Sequence, residues 1–290
     1  MRKCLQVLEI KNYLKDLRKN NTRIGYVPTM GALHGGHQEL IKRCQEDNDV
    51  TIVSIFVNPR QFNDPADFDA YPRLEKQDFE LLEKMGVDAV FRPSEKEIYP
   101  KAPEIQLDLG DMASVLEGQF RPGHFQGVCL VLSKFFNILR PDQVYLGLKD
   151  LQQFLLVTRM VEDLSFDLQV VGVPTKRESS GLALSSRNLR LSSEGKRIAT
   201  HIFKGLEQAK RKFEGRIAVE QIARECREFY ERVDGFELEY CEIVDASTLR
   251  TFSSYNGVNT IAMCVAAYVE GVRLIDNLYL APPEGLLKTF

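Results

Sequence analysis

Two of the chain's four histidines lie three residues apart in the segment PTMGALHGGHQEL, residues 28–40. The apolar run IGYVPTM within and before it predicts a strand, and QELIKRC after it predicts the start of a helix. His34 and His37 therefore fall at a helix N-terminus, where unpaired N–H groups and the positive end of the helix dipole favour anions. The glycines of this turn would let a phosphate approach the backbone. The pattern predicts a phosphate site in which two imidazoles donate hydrogen bonds as charge builds in a transition state.

Two other interpretations of the histidine pair stay open from this segment alone. The turn could simply cap the helix and leave both histidines at the surface, with no ligand. A zinc site is the other alternative, although the sequence places no third ligand close to the pair.

A second candidate phosphate segment is LALSSRN, which follows the apolar run LQVVGVP and the loop KRESSG. Ser185 and Ser186 offer hydroxyls, and Arg187 offers a permanent cation, to a triphosphate. The alternative for these residues is an N-cap ahead of the next helix.

Lys149 and Asp150 follow the apolar run DQVYLGL. Since ligands of α/β sheets bind at the carboxyl ends of the strands, Lys149 would lie where a phosphate binds. A cation about 4 Å from a phosphate charge contributes an interaction of about 4 kcal/mol at an intermediate dielectric. The alternative is a solvated Lys-Asp turn at the surface.

The first 175 residues alternate short apolar runs with longer amphipathic segments. The pattern predicts strands at 24–30, 50–58, 88–94, 142–148 and 168–174. Apolar residues at helical spacing predict helices at 38–48, 74–86, 128–140 and 151–164. VTIVSIF is continuously apolar, as expected of a central parallel strand that is covered on both faces. The alternation predicts an α/β fold with a doubly wound, Rossmann-like parallel sheet.

The pattern changes after the basic, serine-rich loop at 176–188. Residues 193–233 predict two polar, amphipathic helices, and strands are predicted at 237–246, 259–269 and 272–280. Glu270-Gly271 is a short hairpin signal between the last two strands. We therefore expect a first domain at 1–175 and a smaller α+β C-terminal domain at 176–290.

The composition is ordinary for a globular protein, with 44% hydrophobic and 27% charged residues among 290. A net charge of −3 gives no sign of the basic surface that nucleic-acid binding requires. The N-terminus lacks a signal-peptide pattern, and no run approaches the roughly 18 apolar residues of a membrane span. Six scattered cysteines without a CxxC pair predict free thiols, with disulfides or zinc as the alternative. We expect a soluble, cytoplasmic protein that partners neither nucleic acid nor a membrane.

The quoted segments together resemble the pantothenate synthetases, the family of ATP-dependent pantoate–β-alanine ligases within the HxGH nucleotidylyltransferase superfamily. The resemblance rests on PTMGALHGGH, SIFVNPRQF, DFDAYPR, FRPGHFQGV, YLGLKDLQQ and GLALSSRN, in this order. HxGH alone would indicate the superfamily, whereas SIFVNPRQF and RPGHFQGV are narrower. The family often has an acidic or amide residue where Leu148 stands, and methionine where Leu184 stands.

The resemblance implies that residues from several segments bind ATP and that four of them act in catalysis. The catalytic residues would be His34, His37, Lys149 and Arg187. The ATP-binding set would be Met30, His37, Gly147, Lys149, Asp150, Leu184, Ser185, Ser186 and Arg187. Within this set, Asp150 would accept a ribose hydroxyl, Gly147 would allow close approach, and Leu184 would offer an apolar wall to adenine.

The resemblance also implies a pantoate site at Gln61, Gln153 and Asn58, with the backbone near Met30. Carboxamides suit this substrate because they both donate to and accept from hydroxyl and carboxylate groups. The alternative for Asn58 is an Asn-Pro turn.

Four further residues would support the site. Arg121 and His124 would order the pocket, with a structural salt bridge or packing as the alternative. Asp67 and Asp69 would orient Mg2+ through water, with an N-cap of the following helix as the alternative.

The implied reaction is the condensation of pantoate with β-alanine by an AMP-forming ligase of coenzyme A biosynthesis. Pantoate's carboxylate attacks the α-phosphorus of Mg·ATP, and the amine of β-alanine then attacks the pantoyl adenylate and releases AMP. No protein nucleophile is needed, which fits the lack of a clear Ser-His-Asp or Cys-His arrangement. Residues 176–290 would act as a lid that keeps water from the anhydride, over an ATP- and pantoate-binding domain at 1–175. The family also suggests a homodimer.

Two other functions fit parts of the pattern. Another HxGH-type nucleotidylyltransferase would transfer AMP to a phosphorylated acceptor and need an extra basic pocket, whereas NPRQF and KDLQQ are amide-rich. A nucleotide-binding sensor would not need the phosphate-directed set intact, and the net charge of −3 argues against an RNA-binding relative of the synthetases.

Overall fold

A computed structural model describes residues 1–251, 255, 257 and 260–281. The chain divides into two units. The first unit comprises Met1–Ala113, Phe120–Leu148 and Gln153–Val173, and the second comprises Ser114–Gln119, Lys149–Gln152 and Pro174–Phe290. Two short segments thus belong to the second unit, although residues of the first unit flank them in sequence.

A six-stranded parallel sheet with flanking helices forms the first unit, which confirms the predicted α/β fold. Its strands are β1 (Arg2–Cys4), β2 (Ile24–Thr29), β3 (Val50–Ile55), β4 (Ala89–Phe91), β5 (Gln143–Gly147) and β6 (Gln169–Val173). Its helices are α1 (Val7–Arg18), α2 (Gly35–Asp47), α3 (Pro65–Asp69), α4 (Glu75–Lys84), α5 (Glu95–Ile98) and α7 (His124–Leu139). Helices α6 (Glu117–Phe120) and α8 (Leu151–Asp163) begin in the two short segments of the second unit.

Both faces of the sheet are covered, as the mostly apolar run in β3 predicts, and its two polar residues, Thr51 and Ser54, are buried as well. All six residues of β3 are buried. Tyr26 and Ile52 belong to a core that includes Phe135 of α7. Val27 and Val53 belong to a separate core with helix α2. Because successive strand residues point to opposite faces, these two cores lie on either side of the sheet and define it as doubly wound.

The strand order, β1-β4-β3-β2-β5-β6, reverses between β2 and β5. Ligands of open α/β sheets bind at such a switch point, outside the carboxyl ends of the strands. The HxGH turn leaves the carboxyl end of β2, and Gly147 ends β5. Apart from the two chain neighbours of Gly147, no described residue has an atom within 4 Å of a Cβ added there, so the backbone is open to a ligand.

The five predicted strands of this unit are confirmed, but all are shorter than predicted, most of all β4, which was predicted at 88–94, and β3. The prediction ran to Asn58, whereas the strand ends at Ile55. Pro59 has no N–H to donate to a neighbouring strand, and it begins a 3₁₀ turn at Pro59–Gln61. The pattern did not predict β1, α1, α3, α5 or α6. Most of these elements are too short to show a period. Helix α1 is the exception, since Ile10, Tyr13, Leu14 and Leu17 have helical spacing that the prediction missed.

The second unit contains a three-stranded antiparallel sheet, which confirms the predicted small C-terminal α+β part. Its strands are β7 (Phe236–Asp245), β8 (Ile261–Val269) and β9 (Val272–Ala281), in that order, and its helices are α9 (Ser193–Glu214) and α10 (Val219–Glu231). Leu206 of α9, Ile222 of α10 and Val265 of β8 share one core. No helix in the described ranges combines the length and apolarity that a membrane crossing requires.

The hairpin between β8 and β9 turns at Glu270 and Gly271, as predicted. Both residues have positive φ, 52° and 70°, which is the conformation of a two-residue turn that matches the twist of paired strands. The predicted strand at 259–269 begins at Asn259, which lies outside the described residues.

Gln152 connects the two short segments of the second unit. Its Oε1 accepts the N–H of Glu117 at 3.0 Å, and its Nε2 donates to the carbonyl of Val115 at 2.8 Å. The residues around Lys149 and those just before the RPGHF motif are therefore held to each other.

The six cysteines are buried and form no disulfide, which confirms the prediction of free thiols. Burial raises the pKa of Cys44, Cys129 and Cys264 to about 12. Since the thiolate is the reactive form, these side chains act as small apolar groups at neutral pH.

Candidate active site

Two side chains of the first unit hold the backbone of the HxGH turn. Gly31 and Ala32 adopt the left-handed region, with φ of 82° and 49°, which costs little at glycine and more at alanine. The carboxylate of Asp78, in α4, accepts the N–H of Ala32 at 2.9 Å and that of Leu33 at 2.7 Å. The hydroxyl of Thr29 accepts the N–H of Gly31 at 3.1 Å. These contacts fix the direction in which the chain enters α2.

His34 and His37 cap α2 reciprocally. Nδ1 of His34 accepts the N–H of Gly36 at 3.1 Å, and Nδ1 of His37 accepts the N–H of His34 at 3.3 Å. The two ring centroids are 4.1 Å apart. A neutral imidazole whose Nδ1 accepts a hydrogen bond carries its proton on Nε2, so we infer an Nε2–H donor on each ring. Capping and phosphate donation, the alternatives left open by the sequence, therefore use different nitrogens and are compatible.

The electrostatics of Asp78 follow from its position under the turn. Burial raises the pKa of Asp78, and the charge of Glu75 adds to this effect, while the N–H groups of Leu33 and Ala32 oppose it. Because the pKa of Asp78 is higher in the folded protein than in the unfolded chain, protonation of Asp78 favours the folded state. This contribution to the free energy of unfolding is fully present below the ordinary aspartate pKa of about 4. That contribution decreases as the pH rises through the folded-state pKa.

Replacing Asp78 with asparagine should weaken the HxGH turn, because one amide oxygen cannot accept both N–H groups and the amide NH2 would face one of them. We expect the free energy of unfolding to fall by about 1–3 kcal/mol. Urea unfolding should show a larger difference from the wild type at about pH 4 than at about pH 8. Asp234→Asn, at an exposed aspartate, is the matched control. An equal difference at both pH values would contradict the raised pKa.

Asn58 and Gln61 lie on the 3₁₀ turn that follows β3, and both are buried. Nδ2 of Asn58 donates to Oε1 of Gln61 at 3.2 Å. Oδ1 of Asn58 accepts the N–H of Arg60 at 3.3 Å and the hydroxyl of Tyr99 at 3.1 Å, so the predicted turn role of Asn58 is also present. Nε2 of Gln61 contacts Sδ of Met30 at 3.0 Å. The structure thus brings Met30, Asn58 and Gln61 together at the start of the HxGH turn.

The NPRQF and RPGHFQGV motifs pack on each other through Gly127. Its carbonyl accepts a hydrogen bond from Nδ2 of Asn58 at 3.0 Å. A Cβ added at Gly127 would lie 2.2 Å from the carbonyl oxygen of Arg60, which is closer than any real contact. The close approach of α7 to the 3₁₀ turn therefore requires glycine at this position.

His124 holds the backbone of Gln61. Its Nδ1 lies 2.7 Å from the carbonyl oxygen of Gln61, and its Nε2 lies 3.3 Å from Nη1 of Arg121. Since a carbonyl oxygen only accepts, Nδ1 carries the proton and Nε2 accepts from the guanidinium. Arg121 and His124 thus reach Gln61 through a chain of hydrogen bonds. Gln153 lies on a different element, in the first turn of α8, and is partly buried.

Lys149 and Asp150 belong to the second unit and form a 3₁₀ turn with Leu148 directly after β5. Nζ of Lys149 lies 3.6 Å from Oδ1 of Asp150. The lysine side chain is only 18% exposed, so it is less solvated than the surface-turn alternative requires. The carbonyl of Lys149 accepts a hydrogen bond from Nδ2 of Asn277 at 2.7 Å.

The SSRN segment also lies in the second unit and leads into a 3₁₀ turn, Ser186–Arg190. The hydroxyl of Ser185 accepts the N–H of Arg187 at 3.3 Å. The N-cap of the following helix α9 is Ser192, whose hydroxyl accepts the N–H of Gly195 at 3.0 Å. SSRN therefore does not cap α9, but Ser185 caps the short 3₁₀ turn that follows it, so a capping role is present. Leu184 precedes these residues directly and completes the predicted ATP-binding run.

Asp67 and Asp69 lie within the five-residue helix α3. Asp64 is the N-cap of α3 and Leu74 that of α4, so the N-cap alternative for Asp67 and Asp69 is wrong. Residues two apart on a helix do not face each other, so these carboxylates do not fit one ion as a pair of direct ligands. Throughout the ranges that the structure describes, no three His, Cys, Asp or Glu side chains form a group that could hold a metal.

Asp78, Tyr99 and Gly127 are not among the residues that were predicted from the sequence. A signal exists for Asp78, which lies four residues before the buried Leu82 on the same side of α4, where a charged residue needs a partner. Tyr99 and Gly127 lie 41 and 69 residues from Asn58 in the chain. Local periodicity carries no information about contacts over such separations.

A parallel sheet whose inner strand leads into an HxGH turn, with paired histidines at the next helix, defines the HxGH class of α/β proteins. The model of the family Pantoate-beta-alanine ligase matches residues 2–279. The chain belongs to the Pantoate-beta-alanine ligase family.

Relatives and solved structures agree with this membership over nearly the whole chain. The chain is 42% identical to a pantothenate synthetase from Cytophaga hutchinsonii, over 94% of this chain and 97% of the relative. It is 44% identical to one from Sulfurihydrogenibium sp., over 93% and 96%. The crystal structure of pantothenate synthetase from Thermus thermophilus matches with a TM-score of 0.91 at 39% identity, covering 97% of this chain and 100% of that one. The pantoate-beta-alanine ligase from Francisella tularensis, complexed with Beta-gamma ATP and Beta-alanine, matches with a TM-score of 0.81 at 37% identity, covering 97% and 98%.

Proposed function

We propose that this protein condenses pantoate with β-alanine in an ATP-dependent reaction that yields pantothenate, AMP and pyrophosphate. The observation that carries the proposal is the HxGH turn at the switch point of the sheet, with the buried amides of Asn58 and Gln61 at its start, in a member of this family. The ligands in the Francisella tularensis structure support ATP and β-alanine as two of the three substrates.

In the first half-reaction, the carboxylate of pantoate attacks the α-phosphorus of ATP and pyrophosphate leaves. The Nε2–H groups of His34 and His37 donate to phosphate oxygens, where they stabilise the charge that develops in the transition state. Lys149 and Arg187 add positive charge to the same phosphates. The remaining nucleotide contacts are assigned to Met30, Gly147, Asp150, Leu184, Ser185 and Ser186.

Pantoate is held by Gln61 and Gln153, whose amides can pair with both hydroxyls and the carboxylate, and Asn58 is the third residue predicted at this site. Asn58 already uses its Nδ2 and Oδ1 within the protein, so it mainly orients Gln61. Burial raises the pKa of Tyr99 to about 12, so its hydroxyl stays protonated and keeps donating to Asn58. A preorganised amide needs no rearrangement when the carboxylate moves toward ATP.

In the second half-reaction, the amine of β-alanine attacks the acyl carbon of pantoyl adenylate and AMP leaves. The mixed anhydride is already activated, so the protein supplies positioning and charge stabilisation and forms no covalent intermediate. The anhydride must be kept from water. The proposal therefore assigns residues 1–175 to ATP and pantoate binding, and residues 176–290 to a domain that carries SSRN and acts as a lid.

Mg2+ is part of the proposal because it neutralises phosphate charge when bound with ATP. Asp67 and Asp69 do not fit as a joint pair of direct ligands, so either one would orient the ion only through water. The proposal also includes a homodimer in the cytoplasm, without nucleic acid or membrane as partner. Sedimentation of the purified protein tests the dimer, which should have twice the mass of one chain.

Exchange of labelled pyrophosphate into ATP tests the proposed reaction. We expect exchange that depends on pantoate and does not occur with β-alanine alone, because only pantoate forms the adenylate. Adding β-alanine to the complete mixture should produce pantothenate and AMP in equal amounts. Exchange without pantoate would instead indicate a nucleotidylyltransferase with another acceptor.

A further inference from the structure

Two adjacent buried residues of β9, Asp276 and Asn277, each hold a segment that carries phosphate-directed residues. Both segments and β9 belong to the second unit. Sequence patterns assign Asp276 and Asn277 only to a strand, and neither residue has a place in the proposed binding set.

Asp276 anchors the base of the loop that leads to SSRN. Its carboxylate accepts hydrogen bonds from both terminal nitrogens of Arg177, with Nη2 to Oδ1 at 3.0 Å. The same guanidinium donates to the carbonyl of Gly181 at 3.3 Å and lies 3.9 Å from the ring centroid of Phe203. A planar guanidinium held on several sides in this way has little freedom to move. The position of Arg177 is therefore fixed relative to β9.

The loop between Arg177 and SSRN is closed by its own backbone. Arg177 and Ala183 form an isolated antiparallel bridge. The N–H of Leu184 donates to the carbonyl of Lys176 at 3.0 Å. Because the loop is closed at its base, fixing Arg177 also fixes the point at which Leu184 leads into Ser185.

Asn277 anchors the segment that carries Lys149. Its Nδ2 donates to the carbonyl of Lys149 at 2.7 Å, across 128 residues of sequence. The backbone N–H of Asn277 donates to Oδ1 of Asp276 at 2.8 Å. One carboxylate therefore holds both Arg177 and the backbone of the residue that holds Lys149.

We infer that Asp276 and Asn277 are a positioning pair, which holds the backbone of Lys149 at a fixed position relative to the SSRN segment. The inference rests on the proposed function, because it gives these segments the role of binding the phosphates of ATP. The two anchors are consecutive residues of one strand, so the spacing of the two segments is set by a single peptide unit of β9. Neither residue touches the reacting atoms in this assignment. Their effect on the reaction passes through the placement of the Lys149 ammonium and the Arg187 guanidinium.

A positioning role and a purely structural role predict different kinetics. Loss of a buried hydrogen bond lowers stability in either case. A structural role leaves the rate of the folded enzyme unchanged. A positioning role lowers kcat in the folded enzyme, since displacement of a charge by about 1 Å can cost about 100-fold in rate.

Asn277→Leu tests the inference because leucine has nearly the same shape but no donor for the carbonyl of Lys149. We expect kcat of pantoate-dependent pyrophosphate exchange to fall about 10- to 100-fold, with the KM for pantoate unchanged. Tyr230→Phe is the matched control, since it removes a buried hydroxyl that donates to the carbonyl of Ile202 at 2.7 Å, between α10 and α9. The control should lose a similar amount of Tm and keep the wild-type kcat. If Asn277→Leu does not fold, Asn277→Ala is measured in the same way.

Asp276→Asn extends the test to the pair. It should also lower kcat, and the combined variant should lose less than the product of the two single effects, because both act through one anchor. Wild-type kcat in folded Asn277→Leu, or single effects that multiply, would overturn the inference while leaving the proposed function intact. A wild-type protein without pantoate-dependent exchange would instead overturn the proposed function itself.

Discussion

The His37→Ala variant should lose about 10²–10³-fold in the rate of pantoate-dependent pyrophosphate exchange, the usual effect of removing one preorganised donor to a developing anion. Nδ1 of His37 accepts the N–H of His34 at 3.3 Å, which places the proton on Nε2. The variant therefore loses a phosphate donor. It also loses one cap of α2, an effect on stability of about 1 kcal/mol that is too small to unfold the chain.

A second substitution separates the two roles of His37. Glutamate at the third helical position can still accept the N–H of the N-cap residue, as in a capping box, so His37→Glu keeps the cap. It replaces the donor with an anion that repels phosphate. We expect His37→Glu to unfold at the same urea concentration as the wild type or higher, and to be as inactive as His37→Ala.

His201→Ala completes this comparison with the same chemical change at a histidine of α9, where Nδ1 contacts the carbonyl of Ile198 at 2.9 Å. This variant should keep the wild-type exchange rate. An active His37→Glu enzyme would show that His37 serves only as a cap, and the assignment of the HxGH histidines to phosphate would then be lost.

The sequence predicts the sheet well, and it assigns the candidate residues to one edge of the sheet, for a physical reason. Inner strands that are covered on both faces are buried at every position and mostly apolar, as in β3, where only Thr51 and Ser54 of the six buried residues are polar. The HxGH turn follows β2 directly, Asn58 follows β3 by three residues, and Lys149 follows β5 by two. Candidate residues that come directly after such runs can therefore be assigned to the carboxyl edge of the sheet without a structure.

The contacts that hold the site could not be predicted in this way. Asp78 and Ala32 are 46 residues apart, and Asn277 and Lys149 are 128 apart. A buried aspartate in a helix, or an Asp-Asn pair in a strand, has the same local pattern wherever its partner lies. The sequence also does not reveal that residues 114–119 and 149–152 belong to the second unit, because their membership depends on contacts with β9 and on Gln152.

NPRQF and RPGHFQGV show how two separate motifs can have one physical cause. Gly127 admits the backbone of Arg60, Asn58 donates to the carbonyl of Gly127, and His124 holds the carbonyl of Gln61. Each motif is the other's packing partner, so a change in one removes the support of the other. The presence of both motifs in one sequence therefore indicates the position of Gln61 more directly than either motif alone.

The largest expected effect on stability lies in a buried ion group of the second unit, centred on Arg273 of β9. Nη1 and Nη2 of Arg273 donate to the two carboxylate oxygens of Glu117 at 2.6 and 2.8 Å, and Nε donates to Glu239 at 2.9 Å. The hydroxyl of Tyr240 donates to Glu117 at 2.8 Å. Burial lowers the pKa of Arg273, but the hydrogen bonds and charges of Glu117 and Glu239 outweigh burial and raise it. The group ties residues 114–119 to the antiparallel sheet.

Arg273→Met should lower the free energy of unfolding by about 3–5 kcal/mol, because it leaves two buried carboxylates without a counter-charge. The side chains of Arg273 and Glu117 are only 16% and 8% exposed, so water cannot replace the lost partner. Arg197→Met is the matched control, since Arg197 pairs with Glu194 at the surface, where such pairs contribute about 0–1 kcal/mol. Urea unfolding of the three proteins at neutral pH measures both differences.

The pH dependence of Arg273→Met distinguishes lost charge pairing from lost packing. Without the guanidinium, the two buried carboxylates keep the cost of their burial and repel each other, so the folded variant favours their protonation. We therefore expect the variant to regain stability as the pH falls from about 8 toward about 5. The difference from the wild type should therefore shrink over this range. If the difference stays constant with pH, the methionine destabilises the protein because it packs poorly. The two carboxylates would then not need Arg273 as a counter-charge.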